Sequence, residues 1–289
     1  MGYSARYHAA SLAAVFLALA VGILIGVGLG DSVVLGTEEN LRDSLEGDIE
    51  DARADADEIR TQLDRERAFA TRAYPALVGD TLNGGEIGVL ALGDFPGDVG
   101  GDVEAALEPT GGQLVEVAVA RMPPNTAALA ARLGPGKFAD IEDDPGKLEE
   151  LGEVLGTQFT VGTGKLLANL RNTLFLRSSG EGGKLDGVIL YRAAPGELDP
   201  DDRATLDALQ TGLVRGVVES GVPAVSVERS GAAESSVGFF APLGATTVDS
   251  VDLTSGKVAL VFGLLGAKGS FGIKSTANSL LPELLEPSQ

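Results

Sequence analysis

The chain has 289 residues, a formal net charge of −20 at pH 7 and no cysteine. The absence of cysteine excludes disulfides, thiolate metal sites, iron–sulfur clusters and a thiol nucleophile. Because the acidic surface repels phosphate backbones, we expect no nucleic-acid partner.

An apolar segment lies near the start of the chain. None of the 22 positions from Ala9 to Gly30 is charged, and a helix needs about 20 residues to cross the hydrocarbon core of a bilayer. Arg6 precedes the segment and Asp31 follows it, which predicts a cytoplasmic N-terminus and an extracytoplasmic body. The alternative is a cleaved signal peptide, which has about 7–15 apolar residues and a small-residue cleavage site. We favour an uncleaved single-pass anchor in residues 1–30, with the lipid bilayer as its partner.

Three glycines recur at every fourth position of this segment: Gly22, Gly26 and Gly30. They share one helical face and would let a second helix pack closely against the anchor. The alternative interpretation is that small residues are simply common in membrane helices.

Residues 31–75 are predicted to form an acidic stalk, with a helix from about Glu38 to Tyr74 that ends at Pro75. Twelve acidic and six basic residues lie between Glu38 and Arg72. A 3-4 spacing of apolar residues, interrupted at Glu66, defines a seam formed by Leu45, Ile49, Ala52, Ala56, Ile59, Leu63 and Ala70. The seam predicts a weak coiled coil with a second copy or with a partner helix. An isolated solvated helix is the alternative.

Residues 76–289 are predicted to form an extracytoplasmic α/β domain. The predicted strands cover residues 86–92, 114–120, 187–191 and 222–227, and the predicted helices cover 98–107, 126–133, 147–155, 165–176 and 199–221. This alternation is typical of a mostly parallel sheet that is covered by helices. Residues 258–267 are expected to be a buried strand or helix, because ten residues are too few to span a bilayer. The turn at 178–183 indicates a subdomain boundary near 178–185.

The residues that carry most metal and nucleophile chemistry are nearly absent. The only histidine, His8, lies beside the anchor, and the only methionines are Met1 and Met122. Imidazole, thiolate and thioether are the donors that copper prefers, so the predicted outward portion cannot assemble a copper site within one chain. A Ser-His-Asp triad is excluded there for the same reason.

Two glycine-rich loops and two groups of aspartates are candidate binding sites in the sequence. The loop Gly93–Gly101 lacks the dinucleotide-binding spacing, and Gly162–Lys165 lacks the first glycine and the hydroxyl residue of a phosphate loop. Asp143-Asp144, and the set of Asp94, Asp98 and Asp102, lack the spacing of a calcium loop and indicate solvated acidic surfaces. We therefore predict no catalytic, cofactor-binding or metal-binding residues, and a protein that is not an enzyme.

Residues 6–22 read RYHAASLAAVFLALAVG. This string resembles the opening of the MctB-type copper transporter family of actinobacterial envelopes, and the order of anchor, stalk and α/β domain is similar along the full length. The resemblance implies a role in copper transport or homeostasis, with copper as the cargo, and an outer-envelope location. It also implies histidines near the C-terminus, although Val258–Ser279 contains none.

A related group within this family implies a different role. Its members resemble coiled-coil membrane proteins that act on envelope-remodelling hydrolases during cell separation. The alternative function is therefore a non-enzymatic scaffold that regulates cell-wall hydrolases through its stalk and has an envelope protein as its partner.

Overall fold

The computed structural model describes residues 4–180 and 182–283, without the side chains of residues 4–6, 28–41 and 43. The chain divides into two compact units, Met1–Arg67 and Ala68–Gln289. The first is the greater part of one helix, and the second is an α/β unit.

The sequence alternates between apolar runs and amphipathic segments, and these form the strands and helices. The strands are β1 (Glu86–Leu92), β2 (Gln113–Ala120), β3 (Phe175–Ser179), β4 (Gly187–Arg192), β5 (Ala224–Val227), β6 (Thr246–Val248) and β7 (Ser270–Phe271). The helices are α1 (Ser4–Val78), α2 (Gly97–Leu107), α3 (Thr126–Leu133), α4 (Pro145–Val161), α5 (Lys165–Leu174), α6 (Pro200–Glu219), α7 (Val237–Phe240) and α8 (Thr254–Leu264).

The described strands form one seven-stranded sheet in the order β3-β2-β1-β4-β5-β6-β7. All neighbouring pairs are parallel except β2 and β3, which are antiparallel. Side chains of α3, α4, α5 and α6 pack on one face of the sheet, and those of α2, α8 and the end of α1 pack on the other. The predicted α/β class, with a mostly parallel sheet covered by helices, is confirmed.

The unit 1–67 consists of the greater part of α1. Its segment Tyr7–Val27 is long and apolar enough to cross a membrane, and no part of it is buried in the protein. Residues 44–67 of this helix are strongly charged and, apart from the half-buried Ala56, exposed.

The prediction that Pro75 ends the helix is wrong, because α1 continues to Val78. Proline removes one main-chain donor but leaves the following turn intact, and this turn is held by packing. Tyr74 and Val78 are buried in the core of the α/β unit, and the Tyr74 hydroxyl donates a hydrogen bond of 2.6 Å to the carbonyl oxygen of Ala106. Tertiary contacts therefore outweigh the local preference.

The predicted helix at residues 165–176 is also too long. It ends at Leu174, and Phe175–Ser179 forms the antiparallel edge strand β3. Two further short strands, β6 and β7, were not predicted, and the apolar segment 258–267 lies largely in helix α8. Strands on both sides of the 178–185 segment belong to the same sheet.

Helices α4 and α6 approach each other so closely that their backbones touch. Each has two glycines four residues apart at the contact: Gly152 and Gly156 on α4, and Gly212 and Gly216 on α6. A Cβ atom added at Gly212 would lie 2.0 Å from the carbonyl oxygen of Glu149. This contact therefore excludes every side chain larger than hydrogen.

Gly212→Ala should destabilise the protein, because α4 and α6 would have to separate. We expect the free energy of unfolding to fall by about 1–3 kcal/mol, the usual cost of overpacking, in urea denaturation followed by tyrosine fluorescence. The matched control is Gly101→Ala in α2, where an added Cβ meets nothing within 4 Å and should raise stability by up to about 1 kcal/mol. Equal effects at the two sites would contradict the close packing.

Candidate functional site

A cleft of about 650 Å³ opens at the carboxyl edge of the sheet. In the sheet, β1 lies between β2, the next strand along the chain, and β4. Successive strands are therefore added on one side of β1 first and on its other side from β4 onward, so the direction of strand addition reverses between β1 and β4. Ligands of open α/β sheets bind at such a reversal, outside the carboxyl ends of the strands. The lining residues used below are Tyr191, Arg192, Glu228, Arg229, Ser230 and Asp252.

Glu228 follows the last residue of β5 and is almost fully buried. Its carboxylate accepts hydrogen bonds from the Ser236 main-chain N–H at 2.6 Å and from the hydroxyls of Ser235 and Ser236, each at 2.9 Å. The Lys274 ammonium lies 2.7 Å away, and the side chains of Glu228 and Lys274 are only 5% and 19% exposed. The negative charge is thus matched by one cation and three donors.

Asp249 occupies the corresponding position after β6 and is fully buried. Its two carboxylate oxygens accept hydrogen bonds from the main-chain N–H groups of Ile273 and Lys274, at 2.8 and 2.9 Å. Gly272 lies against the same carboxylate with a φ of 142°, where a Cβ would clash with Asp249. Together, Asp249 and Glu228 attach the segment after β7 to the carboxyl edge of the sheet.

Arg229 joins the loop after β5 to helix α2. Its guanidinium forms ion pairs with Asp98 and Asp102, with 3.0 Å between Nε and the Asp102 carboxylate. Asp252 accepts hydrogen bonds from the Ser230 N–H at 2.7 Å and from the Ser230 hydroxyl at 2.6 Å. Burial acts to raise the pKa of Asp252, but these hydrogen bonds and the nearby Arg229 hold it below its ordinary value. Asp252 is therefore ionised at neutral pH.

Tyr191 and Arg192 form the wall of the cleft at the end of β4. The Arg192 guanidinium lies 4.1 Å from the Phe239 ring centroid and donates to Asp207 at 2.7 Å. The Tyr191 ring meets the Phe95 ring edge to face, with 5.4 Å between centroids. Burial, followed by the nearby carboxylates, raises the pKa of Tyr191. Its hydroxyl is therefore neutral at physiological pH.

This donor set does not fit copper. The cleft is lined by carboxylates, guanidinium groups and hydroxyls, and neither imidazole nor sulfur is among its lining groups. No group of three or more His, Cys, Asp or Glu side chains that could hold a metal ion occurs in the part of the chain that the structure describes. The carboxylates Asp98, Glu228 and Asp252 already have cationic or hydrogen-bonding partners within the protein.

The helix-packing residues predicted from sequence lie apart from this cleft. A Cβ added at Gly22 or Gly26 would meet nothing within 4 Å, so their face of α1 is open. Gly30 lies outside the described side chains.

The seam of the stalk is open as well. The apolar seam residues Leu45, Ile49, Ile59 and Leu63 are exposed, Ala52 is exposed, and Ala56 and Ala70 are half-buried. Pairing of the anchor and of the stalk stays a prediction.

The residues of the candidate binding loops and acidic groups can be located in the fold. Asp144 is the N-cap of α4 and accepts hydrogen bonds from two main-chain N–H groups. Gly162 and Gly164 lie in the connection between α4 and α5. Asp98 and Asp102 do come near the cleft, where Arg229 binds them.

The sequence reading missed Glu228, Arg229, Asp249 and Lys274. A usable signal existed for Glu228 and Asp249, because charged residues that directly follow buried parallel strands meet at one edge of the sheet. Lys274 is 46 residues from Glu228 in the chain, and no local pattern marks it.

A protein-family model described as "Copper transport outer membrane protein, MctB" matches residues 3–282, nearly the whole chain. No curated protein sequence matches the chain.

Lys274→Met should strongly destabilise the protein, because it leaves the Glu228 carboxylate buried without its cation. Breaking a buried ion pair in this way costs about 3–5 kcal/mol, measured as the free energy of unfolding in urea. The matched control is Lys147→Met, which removes an ion pair to the exposed Asp140 and should have a much smaller effect. Similar losses for the two variants would show that burial does not govern the Glu228–Lys274 pair.

Proposed function

The chain belongs to the family of copper transport outer membrane proteins, and on this premise we propose that it is a single-pass envelope protein that serves copper homeostasis without ligating copper itself. In this proposal the N-terminus is cytoplasmic and the α/β unit is extracytoplasmic. The protein acts by binding a partner, without catalysis. The observation that carries the proposal is the unburied apolar segment Tyr7–Val27, which precedes the charged part of the same helix α1.

The exposure of this segment supports membrane insertion in preference to a role in a protein core. Leu, Ile, Val and Phe side chains along it are about half to three-quarters exposed. Transferring apolar surface from water to hydrocarbon is favourable by roughly 25 cal/mol per Å². The α/β unit, in contrast, buries its own apolar side chains in two hydrophobic clusters, one on each face of the sheet.

The donor chemistry supports an indirect role toward copper. The chain has one histidine, no cysteine and two methionines. His8 lies at the edge of the anchor, and Met122 is the only soft donor in the α/β unit. Because copper sites need several imidazole, thiolate or thioether ligands, the partner of this protein is the better candidate to contact the cargo.

Orientation in the membrane can be tested with single cysteines, since the chain has none of its own. We expect Gly231→Cys, at an exposed position with open space around it, to react with a membrane-impermeant maleimide on intact cells. Ser4→Cys should react only after the membrane is permeabilised. Labelling in the reverse order would contradict the proposed topology.

Copper binding can be tested by calorimetry on the full chain in detergent micelles, with Cu(I) and Cu(II) titrated separately. We expect no dissociation constant below about 1 μM, a threshold that corresponds to roughly −8 kcal/mol. The same chain with a hexahistidine tag is the positive control for detection. Submicromolar binding by the untagged chain would overturn the indirect role.

A second candidate function rests on the exposed stalk seam. The side chains of Leu45, Ile49, Ile59 and Leu63 are 46–64% exposed along one helix, and such a stripe is typical of a helix that pairs. The corresponding proposal is a coiled-coil scaffold that regulates cell-wall hydrolases in cell separation.

Disulfide trapping tests whether the stalk pairs with a second copy. We expect Ile49→Cys, on the seam, to form covalent dimers in membranes under mild oxidation. Ala54→Cys, which is exposed and off the seam, should remain monomeric. If both variants stay monomeric, the stalk does not pair with itself.

A partner helix on the seam can be tested by combining Ile49→Asp with Ile59→Asp. If such a helix binds the seam, this double variant should impair cell separation. Copper sensitivity is scored in the same strains.

A further inference from the structure

The exposed seam of the stalk follows a heptad repeat, written abcdefg, through residues 44–67 of α1. Positions a and d of such a repeat form the seam, and positions e and g flank it on either side. The seam residues are Ile49, Ala56 and Leu63 at a, and Leu45, Ala52 and Ile59 at d. Five of these six residues are exposed and Ala56 is half-buried, so the seam is available to another helix.

The two flanks of the seam carry opposite charges. Asp48 and Asp55 occupy successive g positions. Arg53 and Arg60 occupy successive e positions, and three of the four arginines between residues 44 and 67 are at e. Positions b and c, which face away from the seam, hold five of the nine acidic residues in this stretch: Glu50, Asp51, Asp57, Glu58 and Asp64.

This arrangement of charges selects the orientation of a second helix of the same sequence, because residues at e and g set partner choice and orientation. In a parallel pair, a g residue faces the e residue of the following heptad on the partner, so Asp48 meets the partner's Arg53 and Asp55 meets the partner's Arg60. The twofold symmetry of the pair doubles these contacts to four. In an antiparallel pair, g faces g and e faces e, which sets carboxylates against carboxylates and guanidinium groups against guanidinium groups.

The flanking side chains can reach a partner helix. Asp48, Arg53 and Asp55 are exposed. Arg60 donates a hydrogen bond of 2.9 Å to Asp57 within α1, but the two side chains are 76% and 75% exposed. Because ion pairs exposed to this degree contribute little to stability, Arg60 can turn toward a partner at small cost.

We propose that the stalk pairs with a second copy of this chain, as a parallel, in-register coiled coil from Leu45 to Leu63. Glu66 occupies the next d position and ends the paired region, because two facing carboxylates repel each other. This inference deepens the proposed function, since it rests on the membrane anchor and names the occupant of the seam.

The proposed anchor supports the same arrangement in two ways. Copies that are inserted into one membrane in the same direction hold their stalks parallel. Confinement to the membrane also raises the effective concentration of the second copy. This matters because Ala52 and Ala56 bury little area, and a seam that contains them associates weakly in solution.

A helix of another protein is a poorer occupant of the seam. It would need basic residues beside Asp48 and Asp55 and acidic residues beside Arg53 and Arg60, all at the same heptad spacing. A second copy carries this pattern in its own sequence. Charge complementarity therefore favours a copy of this chain.

Single cysteines in the full chain, oxidised mildly in membranes, test the orientation and the register. Leu45 and Ile59 lie 14 residues apart at d positions, about 21 Å along the helix, and a disulfide requires Cα atoms within about 7 Å. We expect Leu45→Cys and Ile59→Cys each to form covalent homodimers. A mixture of the two should give no mixed disulfide by mass spectrometry of the cross-linked peptides. Ala54→Cys, at the outer position f, is the control and should stay monomeric.

Charge reversal on one flank tests the assigned pairs. Asp48→Arg combined with Asp55→Arg turns all four contacts repulsive, and the initial rate of Ile59→Cys cross-linking should fall at least about tenfold. The matched control combines Asp51→Arg with Glu58→Arg, which changes the charge equally and at the same spacing but at the outer position c. This control should leave the rate nearly unchanged.

Exchange of the charges between the two flanks should restore the pairing. Adding Arg53→Asp and Arg60→Asp to the flank variant again sets acidic against basic residues in a parallel pair. We expect the cross-linking rate of this quadruple variant to return to within about threefold of the starting rate. A loss caused only by a poorer helix would not be reversed in this way.

The proposal is overturned if neither seam cysteine forms homodimers, or if the mixture gives the mixed disulfide, which only an antiparallel or staggered pair allows. It is also overturned if the g and c variants slow cross-linking equally, or if the quadruple variant is not restored. Each of these failures leaves the maleimide and copper results intact. Reversed maleimide labelling or submicromolar copper binding would overturn the proposed function without changing the cross-links.

Discussion

The contact between α4 and α6 is the constraint on which one side of the α/β unit depends. Four glycines leave no side chain at the points of closest approach, so the two helices approach at backbone distance. The Thr157 hydroxyl then reaches the Gly216 carbonyl oxygen at 3.2 Å, and Arg215 bridges to Glu149 and Glu153 across the same seam. Both helices contribute to the larger of the two hydrophobic cores. Their spacing therefore determines how the face of the sheet that includes the buried side chains of β4 and β5 is covered.

The sequence predicts best the elements whose burial is continuous or whose caps are explicit. Strand β1 and helix α3 have the predicted bounds, and Asp199, the first residue of the predicted helix 199–221, is the N-cap of α6. Strand β3 escaped prediction because the leucine-rich sequence of α5 runs on to Leu176 without a turn residue, and an exposed edge strand has no burial pattern of its own. Strands β6 and β7, with three and two residues, are too short for any periodicity to show. The prediction that the helix ends at Pro75 failed because the packing of Tyr74 and Val78 outweighs the local effect of proline on the helix.

The candidate cleft was much less predictable than the fold. Its key pairs join distant positions, such as Arg229 with Asp98, which are 131 residues apart. Only the general rule that strand ends converge could have indicated Glu228 or Asp249. The absence of imidazole and thiol groups from the cleft, in contrast, follows from composition alone. The pairing of its carboxylates with Arg229, Lys274 and the Ser230 hydroxyl is visible only in the folded chain.

Helix α1 ends inside the core of the α/β unit. Its last turns do not lead into a flexible linker but lie within the core of the α/β unit, where Val78 is fully buried and Tyr74 is bonded to α2 through the Ala106 carbonyl oxygen. These residues are therefore part of the folded core, and a truncation that removed them would take buried apolar side chains out of the α/β unit.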